Sequence, residues 1–243
     1  PCLVDPHSFL ESPFSGKEED IHTLIKKATF AGYGQIGILP RSFLWRDQIE
    51  SIISLKTIKS EVSLHLWGGF SLGGKGLSLS KHSELLRNGA IGLADDDSMP
   101  PIEILKQGFS LGEMKGAPVL IAPRDKTLQA GGMSRQSVET LRAGWPPDPI
   151  ESESLPLVQL LGLHKQYPEI ALRLMNISTS EGVQALKNAH SKPMATVLWW
   201  HLVTDNSNLS PFDIGWSVTP SLGSPKDRAS LIKGLEENIL TAI

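Results

Sequence analysis

Short apolar runs alternate with amphipathic stretches along nearly the whole chain. The runs are rich in branched side chains and read as buried strands: "CLVDP", "QIGILP", "VSLHLWG", "AIGLADD", "APVLIAP", "IALRLMN", "ATVLWWH" and "ILTAI". Between them, apolar residues recur at helical spacing in "EEDIHTLIKKATFAG", "DQIESIISLKTI", "SKHSELLRNG", "IEILKQGF", "SLPLVQLLGLHKQY", "SEGVQALKNAH" and "SPKDRASLIKGLEENI". The last has the clearest helix start. Ser224 suits the N-cap, Pro225 the first helical position and Asp227 the first turn. Leu231, Ile232 and Leu235 then share one face. Gly32, Gly34 and Gly89 supply turn chemistry near helix ends.

Eight strands alternating with helices predict an α/β fold, a (β/α)8 TIM barrel running over residues 1–243 as a single barrel domain. The runner-up is an open doubly wound sheet, but no Gly-x-Gly-x-x-Gly follows a first strand. The glycine-rich "FSLGGKGLSLS" lacks Walker spacing and reads as a loop. Lys126 to Pro156, rich in Gly, Pro and Ser, predicts a long loop after the fifth strand, over the barrel mouth where sites are built.

Length and charge narrow the function classes. The chain has 243 residues, the size of one such barrel. It is 40% hydrophobic and 20% charged, as expected of a soluble globular protein. A net charge of −3 gives no footprint for nucleic acid or an anionic membrane. No apolar run reaches the ~20 residues of a membrane span. The single cysteine, Cys2, excludes a disulfide framework or a cysteine zinc site within the chain, and fits a reducing, cytoplasmic setting. Neither a Gly-x-Ser-x-Gly elbow nor a local motif around Cys2 points to a nucleophile. The start at Pro1 and the stop on the apolar "NILTAI" suggest a barrel truncated at both ends.

Motifs in sequence order then point to a family. "VDPHSFLESP" resembles the opening Asp-Pro-His-x-His-Leu-Arg-x-Pro of the dihydroorotases. "GYGQIGILPRS" is similar to their second strand, which ends Met-Pro-Asn-Thr, and "AIGLADDD" to their fourth-strand Asp-Asp-Gly segment. "APVLIAPRD" resembles the fifth strand, usually His-x-Glu-Asp, and "GWPPDPIESE" the Arg-Pro-Pro-x-x-Glu stretch. "NISTSEGVQALKNA" is similar to His-x-Ser-Thr-x-x-Gly, and "VTPSLGSPKDRASL" to Asn-Pro-Pro-Leu-Arg-x-x-x-Asp-Arg-x-x-Leu. The order and spacing together carry the resemblance.

The resemblance implies a metal-dependent amidohydrolase barrel of pyrimidine synthesis that reversibly hydrolyses dihydroorotate to carbamoyl aspartate. A zinc site would polarise the ring carbonyl and activate water. A small β-rich domain is expected outside this segment. Carried over residue by residue, His7 matches the first metal ligand and Asp96 the bridging carboxylate, with Asp95 the alternative. Phe9, Ala122 and Asn176 fall where three histidine ligands are expected. Glu11 stands in place of the arginine that grips the substrate carboxylate. Arg41 replaces the asparagine and is the substrate-binding candidate; Thr219 and Gly223 replace a later asparagine and arginine.

His7 and Asp96 are too few to hold zinc, so they are expected to be vestigial ligands, no cofactor is expected, and the family's catalysis is not. The expected role is association, with aspartate transcarbamoylase as partner, and a homo-oligomer is compatible with the sequence. Two alternatives stay open: a weakly active single-metal cyclic amidohydrolase, and a binding module with a pocket lined by Trp67, Trp199 and Trp200. Plainer readings accompany these. His7 is then a hydrogen-bonded residue at a strand end, Asp95, Asp96 and Asp97 an acidic turn capping a helix that begins near Pro100, and the three tryptophans ordinary barrel packing. Trp145 and Trp216, in predicted loops, would suit a partner surface if exposed, and His201 would face the old pocket.

Overall fold

The computed structural model describes residues 2–10, 20–41, 46–114, 116–210, 212 and 214–243. They form two compact units. The first comprises residues 1–96, 100–120 and 169–171, the second residues 97–99, 121–168 and 172–243.

The first unit begins with β1 (Leu3–Ser8), α1 (Ile21–Phe30), β2 (Tyr33–Ile38), α2 (Ile49–Lys56) and β3 (Ser63–Gly69). It continues through α3 (His82–Arg87), β4 (Gly92–Ala94) and α4 (Ile102–Leu111) to β5 (Val119–Ile121), whose first two residues belong here. The strands pair in parallel in chain order, each a helical crossover apart, as βα repetition requires. Gln35 to Ile38 align with Ser63 to Leu66, and Trp67 to Gly69 with Gly92 to Ala94. The core is apolar and branched or aromatic: Ile36, Ile38, Leu66, Trp67, Phe70 and Leu93 are all buried. Gly92 is a glycine because a Cβ there would lie 2.6 Å from the Trp67 ring. Helix α1 starts where Asp20 accepts from Thr23 N, and it ends before Gly32 at φ +84°.

The second unit holds Ile121, then α5 (Lys126–Gln129), β6 (Ser134–Arg135), α6 (Val138–Arg142), β7 (Pro147–Asp148) and α7 (Glu151–Gln166). After them come β8 (Leu172–Leu174), α8 (Ser180–Asn188), β9 (Met194–Ala195), α9 (Trp200–Val203) and α10 (Pro225–Glu236). Met175 N donates to Ile121 O at 2.9 Å, β8 pairs in parallel with β9, and Thr196 bridges in parallel to Ala242. Of the predicted eighth strand, "ILTAI", the described residues show that one bridge at Ala242. Helix α10 carries the predicted Ser224 cap and closes a full capping box with Asp227.

Two expectations are corrected. Lys126 to Pro156 is not one long loop. It contains two short helices, the start of α7 and the parallel pair β6–β7, held together by a buried arginine described below. "ATVLWWH" is strand only at its start, and Trp200 and His201 lie in α9. Trp199 is exposed there, so an apolar run at this point does not mark a buried strand.

Candidate functional site

In the first unit the candidate residues sit at the C-terminal ends of β1, β2 and β4 or in the chain just beyond. His7 is half-buried on β1, and its backbone N donates to Asp5 Oδ1 at 3.1 Å. Burial lowers its pKa, with the Asp5 charge acting the other way. The structure joins Phe9, Arg41 and Asp96. Arg41 Nε lies 3.4 Å from Asp96 Oδ1, and the guanidinium sits 4.9 Å from the centre of the Phe9 ring. Glu11, the proposed charge reversal, lies outside the described residues.

Asp95 has a different task. It is 3% exposed, and Ser71 Oγ lies 2.8 and 3.1 Å from its two oxygens. Ser71 Oγ in turn accepts from Gly76 N at 3.0 Å. The carboxylate thus clasps the glycine-rich turn, where Gly73, Gly74 and Gly76 all have φ near +60°. The N-cap position of α4 belongs to Pro101, not to one of these aspartates, and carries no side-chain cap.

In the second unit Ala122 is fully buried and offers no donor atom. Asn176 has φ +61°, a conformation asparagine tolerates well. Its N donates to Thr196 Oγ1 at 3.0 Å and its Oδ1 accepts from the same hydroxyl at 3.3 Å. A Cβ on Gly223 would come within 2.6 Å of Asp227 Cβ, so the capping box occupies that space. Trp67 is buried, with Nε1 donating to Pro6 O at 3.0 Å. That contact is internal packing within the first unit. Trp145 is buried, not exposed as a partner surface would need, and Trp216 is half-buried.

The second unit also contains a charge cluster that the sequence reading missed. Arg135 is 2% exposed and binds two carboxylates, Asp148 Oδ2 and Glu153 Oε2, at 3.1 Å each. It also donates to Ser152 Oγ at 2.7 Å, Ser178 Oγ at 3.0 Å and Pro149 O at 3.1 Å. Glu153 accepts from the backbone N of Ser178 and Thr179 at 3.0 and 3.1 Å, just before α8. Arg124 is 3% exposed; burial lowers its pKa, and the Asp97 charge opposes this most. His201 is 2% exposed, with Nε2 3.3 Å from Ser221 O, and burial brings its pKa down to about 4. Two signals were there: Arg124 falls at the glutamate of the matching His-x-Glu-Asp, and His201 was expected to face the old pocket.

Among the described residues, no three His, Cys, Asp or Glu side chains gather in a group that could hold a metal ion, and no helix is long and apolar enough to cross a membrane. No family model matches the chain. In fold, the whole chain is similar to an L-hydantoinase (dihydropyrimidinase) from Arthrobacter aurescens, with TM-score 0.80 and 17% identity over 57% of that chain. A dihydroorotase from Campylobacter jejuni matches 95% of this chain and 64% of its own, with TM-score 0.64 and 16% identity. The parallel βα repeat and these likenesses show an α/β fold shared with the hydantoinase and the dihydroorotase.

The relatives in sequence include dihydroorotases. The whole chain is 28% identical to a probable dihydroorotase-like protein of Synechocystis and 23% to a dihydroorotase of Pelotomaculum thermopropionicum. It spans 63% and 58% of their lengths.

Proposed function

We propose that this chain is part of a dihydroorotase-like protein of pyrimidine biosynthesis that has lost the family's zinc chemistry and acts by association in the cytoplasm. The partner proposed is aspartate transcarbamoylase. The observation that carries this reading is the contact of Asp96 with Arg41, whose guanidinium lies over Phe9. The carboxylate best placed to ligate a metal already faces a fixed cation. The side chain expected to supply a second imidazole instead offers that cation a ring face.

The residues present do not fit a zinc ion. A catalytic zinc needs three protein ligands and an open position. Phe9 and Ala122 have no lone pair, and the Asn176 amide is engaged by Thr196. No hydrolytic step is therefore derived for this chain.

Two measurements on the full protein test the proposal. Co-purification with aspartate transcarbamoylase, and a change in transcarbamoylase activity on mixing, are the expected results; neither complex nor effect would remove the partner. Metal analysis after gentle purification should give far less than one zinc per chain. A stoichiometric, tightly held zinc lost on His7→Ala would overturn the non-catalytic reading.

A further inference from the structure

Among the described residues, the buried polar atoms of the second unit with no hydrogen-bond partner include Nη1 of Arg124, Nε of Arg135, Nδ1 of His201 and Oγ of Ser221. All four residues are at most 3% exposed. Each such atom costs free energy comparable to a lost hydrogen bond, so folded proteins leave few of them unmatched. Here they fall in one neighbourhood. Arg135 N donates to Leu222 O at 2.9 Å, which sets Ser221 beside β6. His201 Nε2 lies 3.3 Å from Ser221 O. The charges of Arg135 and Arg124 both reach His201, and each arginine lies in the other's field.

The chemistry of each atom is fixed by its surroundings. His201 Nε2 faces a carbonyl and so carries the ring proton, which leaves Nδ1 a lone pair that can only accept. The two arginine atoms can only donate. Ser221 Oγ can do either. The ion pairs of Asp148 and Glu153 among the described residues are both with Arg135. The charges of Asp97, Glu153 and Asp148 all act on Arg124, that of Asp97 most.

We propose that Arg124, Arg135, His201 and Ser221 form a binding site for a small oxyanion that keeps one proton, such as bicarbonate or hydrogen phosphate. Its negative oxygens accept from Arg124 Nη1 and Arg135 Nε. Its O–H donates to His201 Nδ1, and Ser221 Oγ completes the shell. A purely anionic ligand leaves the imidazole unmatched, and a neutral one leaves the guanidinium of Arg124 without an acceptor. The site uses none of the residues of the Arg41 contact, and it requires neither the loss of zinc nor a protein partner.

Calorimetric titration of the full protein at neutral pH, with sodium bicarbonate and with sodium phosphate against sodium chloride at equal ionic strength, tests it. One of the two oxyanions should bind saturably with one site per chain, while chloride does not. Phosphate alone points to a phosphoryl-bearing ligand, and bicarbonate alone to a planar, carboxylate-like one. Arg124→Lys keeps the charge but loses the guanidinium fork, and should weaken binding by about tenfold or more. In wild-type protein the 15N resonance of His201 Nδ1 should move on anion addition, a readout that holds even if the variant fails to fold. No saturable binding of either oxyanion, an Arg124→Lys variant that binds as well as wild type, or an unmoved His201 resonance would each overturn the site, leaving buried water as the partner of these atoms.

Discussion

Burial holds the His201 imidazole neutral to about pH 4, and the charges of Arg135 and Arg124 also oppose its protonation. The unfolded chain takes up that proton near pH 6.5. Stability from this group is therefore full above pH 6.5 and is lost as pH falls toward 4, by ~3 kcal/mol in all. His7 and His82 are lowered by burial too and add in the same direction. Denaturant melts at pH 7 and pH 4.5 should show the loss, and His201→Gln should shrink the difference between them. An unchanged pH slope in that variant would place the acid sensitivity elsewhere. At this scale the sequence showed which residues were missing but not what replaced them. Phe9, Ala122 and Asn176 were legible as departures from a motif. The ring beneath Arg41 and the left-handed backbone at Asn176 are properties of folded neighbours, and no spacing rule exposes them.

Helix starts were the most legible elements, because caps are local. Ser224, Pro225 and Asp227 lie within four residues and specify their own geometry. Helix α8 is different. Its Thr179 cap accepts from Gly182 N at 2.9 Å, but the amides before it are held by Glu153, which lies 25 residues earlier in the chain. From sequence Glu153 looks like an acidic residue of a helix's first turn. The two starts should respond differently to truncation. Ser224→Ala removes one cap and should cost ~1 kcal/mol. Glu153→Ala leaves two amides and one face of a buried arginine unmatched and should cost ~3–5 kcal/mol. Paired urea melts decide; equal losses would mean that Glu153 is no more than a cap. The stretch from Lys126 to Pro156 was illegible for the same reason: Gly, Pro and Ser suggested a loop, while its order comes from Arg135 and partners 13 to 43 positions away.

Each unit of the molecule has its own apolar core and its own parallel strands, built from the branched runs on which the barrel expectation rested. Those runs survive whether or not a metal is bound at their ends, since the packing of β-strand against helix involves no ligand atom. The thermal midpoint of the full protein should therefore be the same before and after dialysis against EDTA. A clear drop, recovered on adding zinc, would reveal a structural metal and contradict the proposed function.

The contact between Arg41 and Asp96 bears on any attempt to rebuild a hydrolase here. Installing an imidazole by Phe9→His would bring a new ligand to a carboxylate whose counter-charge is tethered to the backbone three residues after β2. Zinc would have to displace a guanidinium that cannot diffuse away. Reconstruction thus begins with a deletion: metal uptake should rise only once Arg41→Asn joins Phe9→His, and a Phe9→His protein that takes up as much zinc with Arg41 intact would show that the tether never mattered.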